Sequence, residues 1–175
     1  MRVAIIGCGS IGNKRAKALN GHSLVACADT LLARAQQLAS QHRDCIATSN
    51  WHEAIEKSDV VIVSTTNDML VPVALLAAKS GKHVLIEKPA ARTSAELRTL
   101  LDVANQAKVV VKVGFNHRFH PAVLKARHLI DEGALGPLMF LRARYGHGGR
   151  LGMEKEWRGS APSPAAERCS TRASI

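Results

Sequence analysis

Hydrophobic positions fall into two alternating patterns along the chain. Short runs rich in branched residues, Val3 to Ile6, Leu24 to Ala28, Val60 to Ser64, Val84 to Glu87 and Val109 to Val113, are mainly apolar, with Ser64, Glu87 and Lys112 the exceptions, as expected of strands buried on both faces of a parallel sheet. Between them, Ile11 to Leu19, Leu31 to Gln41, Trp51 to Glu56, Val71 to Lys79 and Ser94 to Ala107 carry apolar residues at helical spacing. Gly21 and Gly81 stand where helices should stop. Ser94 reads as the cap of its helix, with Glu96 one place early for a full capping box.

The pattern changes after about residue 120. Pro121 opens a further helical stretch through Val123, Leu124, Ala126, Leu129 and Ile130, which ends at Asp131-Glu132-Gly133. The pair Gly136-Pro137 turns the chain, and Leu138 to Tyr145 alternates as a strand that would begin a second domain. From Ser160 the residues are mainly Ser, Ala, Pro and Arg with no apolar period, a composition expected to be disordered. The predicted fold class is α/β, a Rossmann-type doubly wound parallel sheet followed by an incomplete start of an α+β substrate domain. The predicted boundaries are 1–120 for the dinucleotide-binding domain, 121–159 for the start of the second, and 160–175 for the tail.

Composition narrows the partners. At 175 residues and 46% hydrophobic content the chain can bury one substantial core. A formal net charge of +10 would attract phosphate-bearing partners, yet the basic residues are scattered and only 3% of the chain is aromatic. That argues against nucleic acid, which needs clustered charge and faces for stacking. Apolar stretches such as Leu70 to Ala78 are shorter than the roughly 20 residues that cross a bilayer, so no membrane span is expected. Cys8, Cys27, Cys45 and Cys169 show no CxxC spacing, and the N-terminus lacks a signal-peptide pattern, so a cytoplasmic location is expected. His117, His120 and His147 have no metal-ligand spacing and read as partly exposed polar residues; no metal is expected.

Gly7-Cys8-Gly9-Ser10-Ile11-Gly12 lies between a buried strand and a helix, the context in which a GxGxxG run signals a dinucleotide site. Gly7 permits the tight turn, Gly9 lets backbone approach a pyrophosphate, and Gly12 lets helix and strand pack closely, while N–H groups at Ser10 and Ile11 face the phosphates. Asp29 ends the second strand about 20 residues on, where a carboxylate accepts from ribose hydroxyls. This favours NAD. Arg34 leaves NADP possible by offsetting the repulsion of a 2′-phosphate, and Asp29 is equally compatible with capping the helix near Leu31. Glu87-Lys88-Pro89 closes another buried strand at the carboxyl edge of the sheet, where open α/β folds place ligands. Spacing alone leaves Lys88 open between a surface lysine and a cleft residue that helps move a hydroxyl proton.

The nucleotide fingerprint, Glu87-Lys88-Pro89, Gly114-Phe115-Asn116-His117-Arg118-Phe119-His120-Pro121 and Gly133-Ala134-Leu135-Gly136-Pro137 occur in this order. Together they resemble the Gfo/Idh/MocA oxidoreductases, the relatives of glucose-fructose oxidoreductase and inositol dehydrogenase, from Met1 to about Arg158. The resemblance implies hydride transfer between NAD(P) and a hydroxyl carbon of a sugar, cyclitol or related polyol, with Lys88 catalytic and Pro89 often cis. It assigns Asn116 and Arg118 to the nicotinamide side of the cleft, and Trp157-Arg158 to cofactor or substrate. It also implies a homo-oligomer for an intact family member. The family often has Thr-Pro-Asn followed by a histidine where this chain reads Thr65-Thr66-Asn67-Asp68; Thr65 and Asn67 remain candidate cofactor contacts.

The larger departure follows Trp157-Arg158. Relatives continue into a Gly-rich turn, an Asp, and a His four residues later that acts as acid/base, and Ser160 to Ile175 supplies neither. Back-translated with permitted codons and read two bases later, Pro164 to Ile175 yields Gly-Gly-Gly-Ala-Leu-Leu-Asp-Gln-Gly-Ile-His, the missing motif. The expectation is therefore an N-terminal part of a longer dehydrogenase followed by out-of-frame residues. As written, it would be a cofactor-binding chain without significant turnover, either a non-catalytic NAD(P)-binding module or a decayed gene product.

Overall fold

The computed structural model describes residues 1–143. Contacts divide the chain into one unit spanning Met1–Gly114 and another from Phe115 onward. In the first, strands and helices alternate: β1 (Arg2–Ile6), α1 (Ser10–Ala16), β2 (Ser23–Ala28), α2 (Leu32–Ala39), β3 (Ile46–Thr48), α3 (Trp51–Glu56), β4 (Val60–Val63), α4 (Asn67–Lys79), β5 (His83–Ile86), α5 (Ser94–Gln106) and β6 (Val111–Val113). All pairings are parallel and the sheet order is β3-β2-β1-β4-β5-β6. That is the doubly wound Rossmann order, whose direction reverses between β1 and β4.

Why these runs became strands follows from their period of two. Ala4 and Ile6 of β1, Val61 and Val63 of β4, and Val84 and Ile86 of β5 face one layer, packed with Ile55 of α3, Leu70 and Val73 of α4, and Leu100 of α5. Val3 and Ile5, with Leu24 and Cys27 of β2 and Ile62 of β4, face the other, under Ala16 of α1 and Ala35, Leu38 and Ala39 of α2. Each fully buried Ile, Leu or Val contributes about 1.5–3 kcal/mol. A strand apolar on both sides is thus held by both layers. Gly81 adopts positive φ just beyond α4, as its position predicts, whereas α1 ends at Ala16, earlier than expected, and Gly21 adopts positive φ in the turn that follows.

Three further details differ from the expectations above. β3 was not anticipated: it is three residues long and only half-buried, too short to show a period. The cap of α5 is Thr93, not Ser94; the Thr93 side chain accepts from the backbone N–H of Glu96 at 3.2 Å. Shifting the cap by one puts Glu96 at the capping-box position, and its carboxylate turns back to accept from the Arg92 backbone at 2.9 Å. The third concerns Leu138 to Tyr145, whose residues 138–143 carry no strand. Alternation supplies a face, but a strand needs a neighbour for its backbone groups, and none pairs there.

The second unit begins with a 3-10 turn at Asn116–Phe119 and α6 (Pro121–Asp131), capped by the His120 side chain, which accepts from Ala122 N–H at 3.3 Å. Its end matches the sequence reading, with Gly133 at positive φ. No described residue after Gly114 is buried. Tyr145, His147, Trp157, Arg158 and the whole 160–175 tail lie outside the described residues.

Candidate functional site

Because every strand of the sheet is parallel, the segments that follow them emerge on one edge: the glycine loop after β1, Asp29 after β2, Ser64 to Asn67 after β4, Glu87 to Pro89 after β5 and Gly114 after β6. This carboxyl edge is where open α/β sheets bind ligands.

The loop at Gly7 to Gly12 is fixed from several sides. Gly7 has φ +94°, and its N–H donates to Ala28 O at 2.8 Å. A Cβ there would lie 2.4 Å from the Ser64 carbonyl oxygen, so the chain after β4 closes over Gly7. The Ser64 hydroxyl donates to Gly7 O at 2.7 Å, and the Asn13 amide donates to Cys8 O and Gly9 O at 2.9 and 3.0 Å. A Cβ on Gly12 would meet Gly7 O at 2.2 Å and Ile5 Cγ2 at 3.2 Å, which is the close helix–strand packing the motif demands. Gly9 is different. Nothing of the protein lies within 4 Å of where its Cβ would stand, and as the residue before α1 it offers no capping side chain. The protein's own packing does not require glycine at residue 9, while close approach of a phosphate group to the backbone and to the N–H groups of Ser10 and Ile11 would.

Asp29 joins this loop to the second strand. Its Oδ2 accepts from Cys8 N–H at 2.7 Å and its Oδ1 from Leu31 N–H at 2.9 Å. An ionised carboxylate has about four acceptor positions, so two backbone bonds leave room for ribose hydroxyls. The capping alternative resolves into an Asx-type turn: Leu31, not Asp29, precedes α2, and it makes no side-chain cap. Arg34 is exposed on α2.

Thr65 and Asn67 are half-buried at the start of α4, where Thr65 Oγ1 donates to Thr66 O at 3.3 Å. Lys88 and Pro89 are exposed and joined by a cis peptide bond. Glu87 is buried, 8% exposed, and its carboxylate is engaged by the Arg15 guanidinium, with Arg15 Nε donating to Oε1 at 2.5 Å. A Cβ on Gly114 would stand 2.7 Å from that guanidinium and 2.9 Å from Glu87 Oε1. Glycine at 114 therefore makes room for the ion pair, which ties α1 to the segment carrying Lys88. Asn116 and Arg118 are exposed in the second unit.

Sequence reasoning gave no site role to Asn13, Arg15, Ser64 or Gly114, although Gly114 stood in a quoted motif. Only the last carried a usable signal, a lone glycine directly after a strand at the ligand edge. Among the described residues no cluster of His, Cys, Asp or Glu is arranged to hold a metal ion, and no helix is long and apolar enough to cross a membrane.

Residues 1–115 match the Gfo/Idh/MocA family, described as an oxidoreductase family with an NAD-binding Rossmann fold. The inositol 2-dehydrogenase of Rhizobium meliloti is 33% identical over 139 residues, covering 78% of this chain and 42% of that protein. The D-glucoside 3-dehydrogenase of Escherichia coli is 33% identical over 153 residues, 82% of this chain and 43% of its own length. Among solved structures, levoglucosan dehydrogenase in complex with NADH and levoglucosan superposes with a TM-score of 0.72 at 30% identity, covering 78% of this chain and 40% of that one. The chain thus spans less than half the length of these relatives.

Proposed function

This chain belongs to the Gfo/Idh/MocA oxidoreductase family, whose Rossmann fold binds NAD, and from that premise we propose that it holds NAD for hydride transfer from a hydroxyl carbon of a sugar, cyclitol or related polyol. The observation that carries the reading is Gly9: an open position with no packing need for glycine, placed at the uncapped start of α1 and beside a carboxylate anchored at the end of β2. The similarity to inositol, glucoside and levoglucosan dehydrogenases supports the substrate class.

NAD, when bound, supplies the hydride acceptor. The chain's part is to hold it. Backbone N–H groups of Gly9, Ser10 and Ile11 receive the pyrophosphate, and Gly7 and Gly12 keep that backbone close to the sheet. Asp29 accepts from the adenosine ribose, where its negative charge disfavours a 2′-phosphate; Arg34 is the residue that would permit NADP. Thr65 and Asn67 border the cofactor after β4. Glu87, paired with Arg15, positions the segment after β5. Lys88 Nζ stands against the substrate hydroxyl and takes part in moving its proton as hydride leaves the carbon. Asn116 and Arg118, and Trp157 and Arg158 outside the described residues, complete the proposed contacts on the strength of the motifs alone. A cytoplasmic setting belongs to the same proposal, and a homo-oligomer is proposed for an intact family member, not for this chain.

A second reading, an NAD-binding module without turnover, is favoured by one observation. The Asp and His of the family pattern are recovered only from the shifted frame of residues 164–175. Fluorescence titration of the folded chain with NADH and NADPH tests what both readings share. Saturable binding, tighter for NADH, is expected, and no saturable binding of either coenzyme would overturn the proposal. NADH formation from NAD and a panel of polyols then separates the two. Turnover that is lost on Lys88→Ala selects the enzyme; binding without turnover selects the module.

A further inference from the structure

Three cysteines of the first unit lie close to the cofactor loop, and nothing in the proposed function uses their sulfur chemistry. Cys27 is wholly buried in β2, two residues before Asp29. Cys45 is half-buried and immediately precedes β3. Since Cys27 pairs in register with Ala47, and side chains two apart in a strand share a face, Cys45 falls on the same layer as Cys27. Their sulfurs are 3.7 Å apart, in hydrogen-bond contact. Cys8, also buried, donates its thiol to Ala28 O at 3.4 Å.

We propose that Cys45 and Cys27 form a peroxide-responsive thiol pair, in which half-exposed Cys45 is the sulfur that is oxidised and buried Cys27 closes the disulfide upon it. Two sulfurs in contact need only a small approach to bond, one of them has an edge toward solvent, and no strand separates them. Access orders the roles: Cys45 is part-exposed at the entry of β3, whereas Cys27 is wholly buried under the α1–α2 layer. The hydrogen bond agrees with that order. The hydrogen bond between the two sulfurs lowers the Cys45 thiol below its ordinary value against the opposing effect of burial, and the same bond, together with burial, raises Cys27.

The chemistry balances with a hydroperoxide as the oxidant. The Cys45 thiolate attacks the terminal peroxide oxygen, the O–O bond breaks, and an alkoxide or hydroxide leaves and is protonated; Cys45 is now a sulfenic acid, oxidised by two electrons. Cys27 sulfur then attacks Cys45 sulfur, the S–S bond forms, and hydroxide leaves with the Cys27 proton as water. The product ties the entry of β3 to the strand that carries Asp29, whose own backbone N–H donates to Thr48 O of β3 at 3.3 Å. The pair thus sits under the ribose side of the proposed cofactor site, although its oxidation does not depend on cofactor binding.

The four cysteines fall on separate tryptic peptides, so peptide mapping reads the outcome directly. The reduced full chain is treated with hydrogen peroxide, alkylated with iodoacetamide, digested and mapped without reductant. A Cys27–Cys45 cross-link within monomeric chains, reversed by dithiothreitol, is expected. In Cys27→Ala the same treatment should leave a sulfenic acid on Cys45 that dimedone traps, and in Cys45→Ser neither product should form. The proposal is overturned if folded wild-type chain keeps Cys45 fully alkylatable after peroxide, or if the bond joins Cys8 to Cys27, involves Cys169, or links two chains. The wild-type map decides even where a variant fails to fold.

Discussion

At the scale of single residues, the three glycines of the loop look identical in the motif but answer to different neighbours. Gly7 and Gly12 are required by the protein itself, since a methyl group on either would lie 2.2–2.4 Å from a backbone carbonyl oxygen that cannot swing aside. Gly9 has φ −72° and ψ −163°, ordinary for any residue, and open space beyond it. Gly12→Ala should therefore lose on the order of 2–3 kcal/mol of stability in urea denaturation, the cost of forcing volume into a packed site. Gly9→Ala should stay within about 0.5 kcal/mol of wild type and yet lose at least about tenfold in NADH affinity, about 1.4 kcal/mol. Equal loss of stability in both variants would contradict this division. The motif and its strand–loop–helix context were legible in the sequence, and so was the place of Asp29 directly after β2, where it bonds to the loop. What was not legible is the set of partners from remote segments, Ser64 over Gly7 and Gly114 beside Arg15 and Glu87. Those depend on which strands become neighbours in the sheet.

Elements were legible in proportion to how much of a period they contain. The strands apolar on both faces and the longer helices declared themselves, because burial in two layers writes a continuous run and burial of one helix face writes a spacing of three to four. β3 has three residues and no full period, so only its pairing with β2 defines it. The start of α5 shows the limit at boundaries: Thr93 and Ser94 are both capable caps, and the structure selects Thr93 because Glu96 then reciprocates. Thr93→Ala should cost about 1 kcal/mol in thermal or chemical denaturation, and Ser94→Ala much less; the reverse ranking would contradict the assignment. The capping carboxylate adds a pH dependence. Side-chain and backbone hydrogen bonds from Arg92 hold Glu96 below its ordinary value of 4.5. A carboxyl lowered in the folded state contributes stability that is present above that ordinary value and lost as pH falls through the lowered one. The difference between wild type and Glu96→Gln should accordingly shrink on acidification across that window.

For the whole molecule, the decisive contrast is between a first unit that buries a two-layer core and a stretch after Gly114 in which no described residue is buried. α6 illustrates it. Its sequence is amphipathic and well capped, yet Val123 and Leu124 are about half exposed at 49% and 51%. Beyond it, Leu138, Met139, Phe140 and Leu141 stand open at 54–92%, the segment whose alternation suggested a strand. Local sequence can set a helix by capping and propensity, but a strand exists only with a neighbour, which is why α6 was read correctly and Leu138 to Ala143 was not. An apolar run of this kind is an aggregation hazard. Truncation is judged by the burial and backbone bonding it disturbs. A chain ended after Gly114 loses no buried side chain of the described residues and keeps the Gly114 N–H bond to Ile86 O at 2.8 Å. It should unfold in a single cooperative transition at nearly the midpoint of the full chain, remain soluble at higher concentration and bind less of the hydrophobic dye ANS. A truncated chain that is unfolded, or that binds as much dye as the full one, would show that the residues after Gly114 support the first unit in a way their exposure does not reveal.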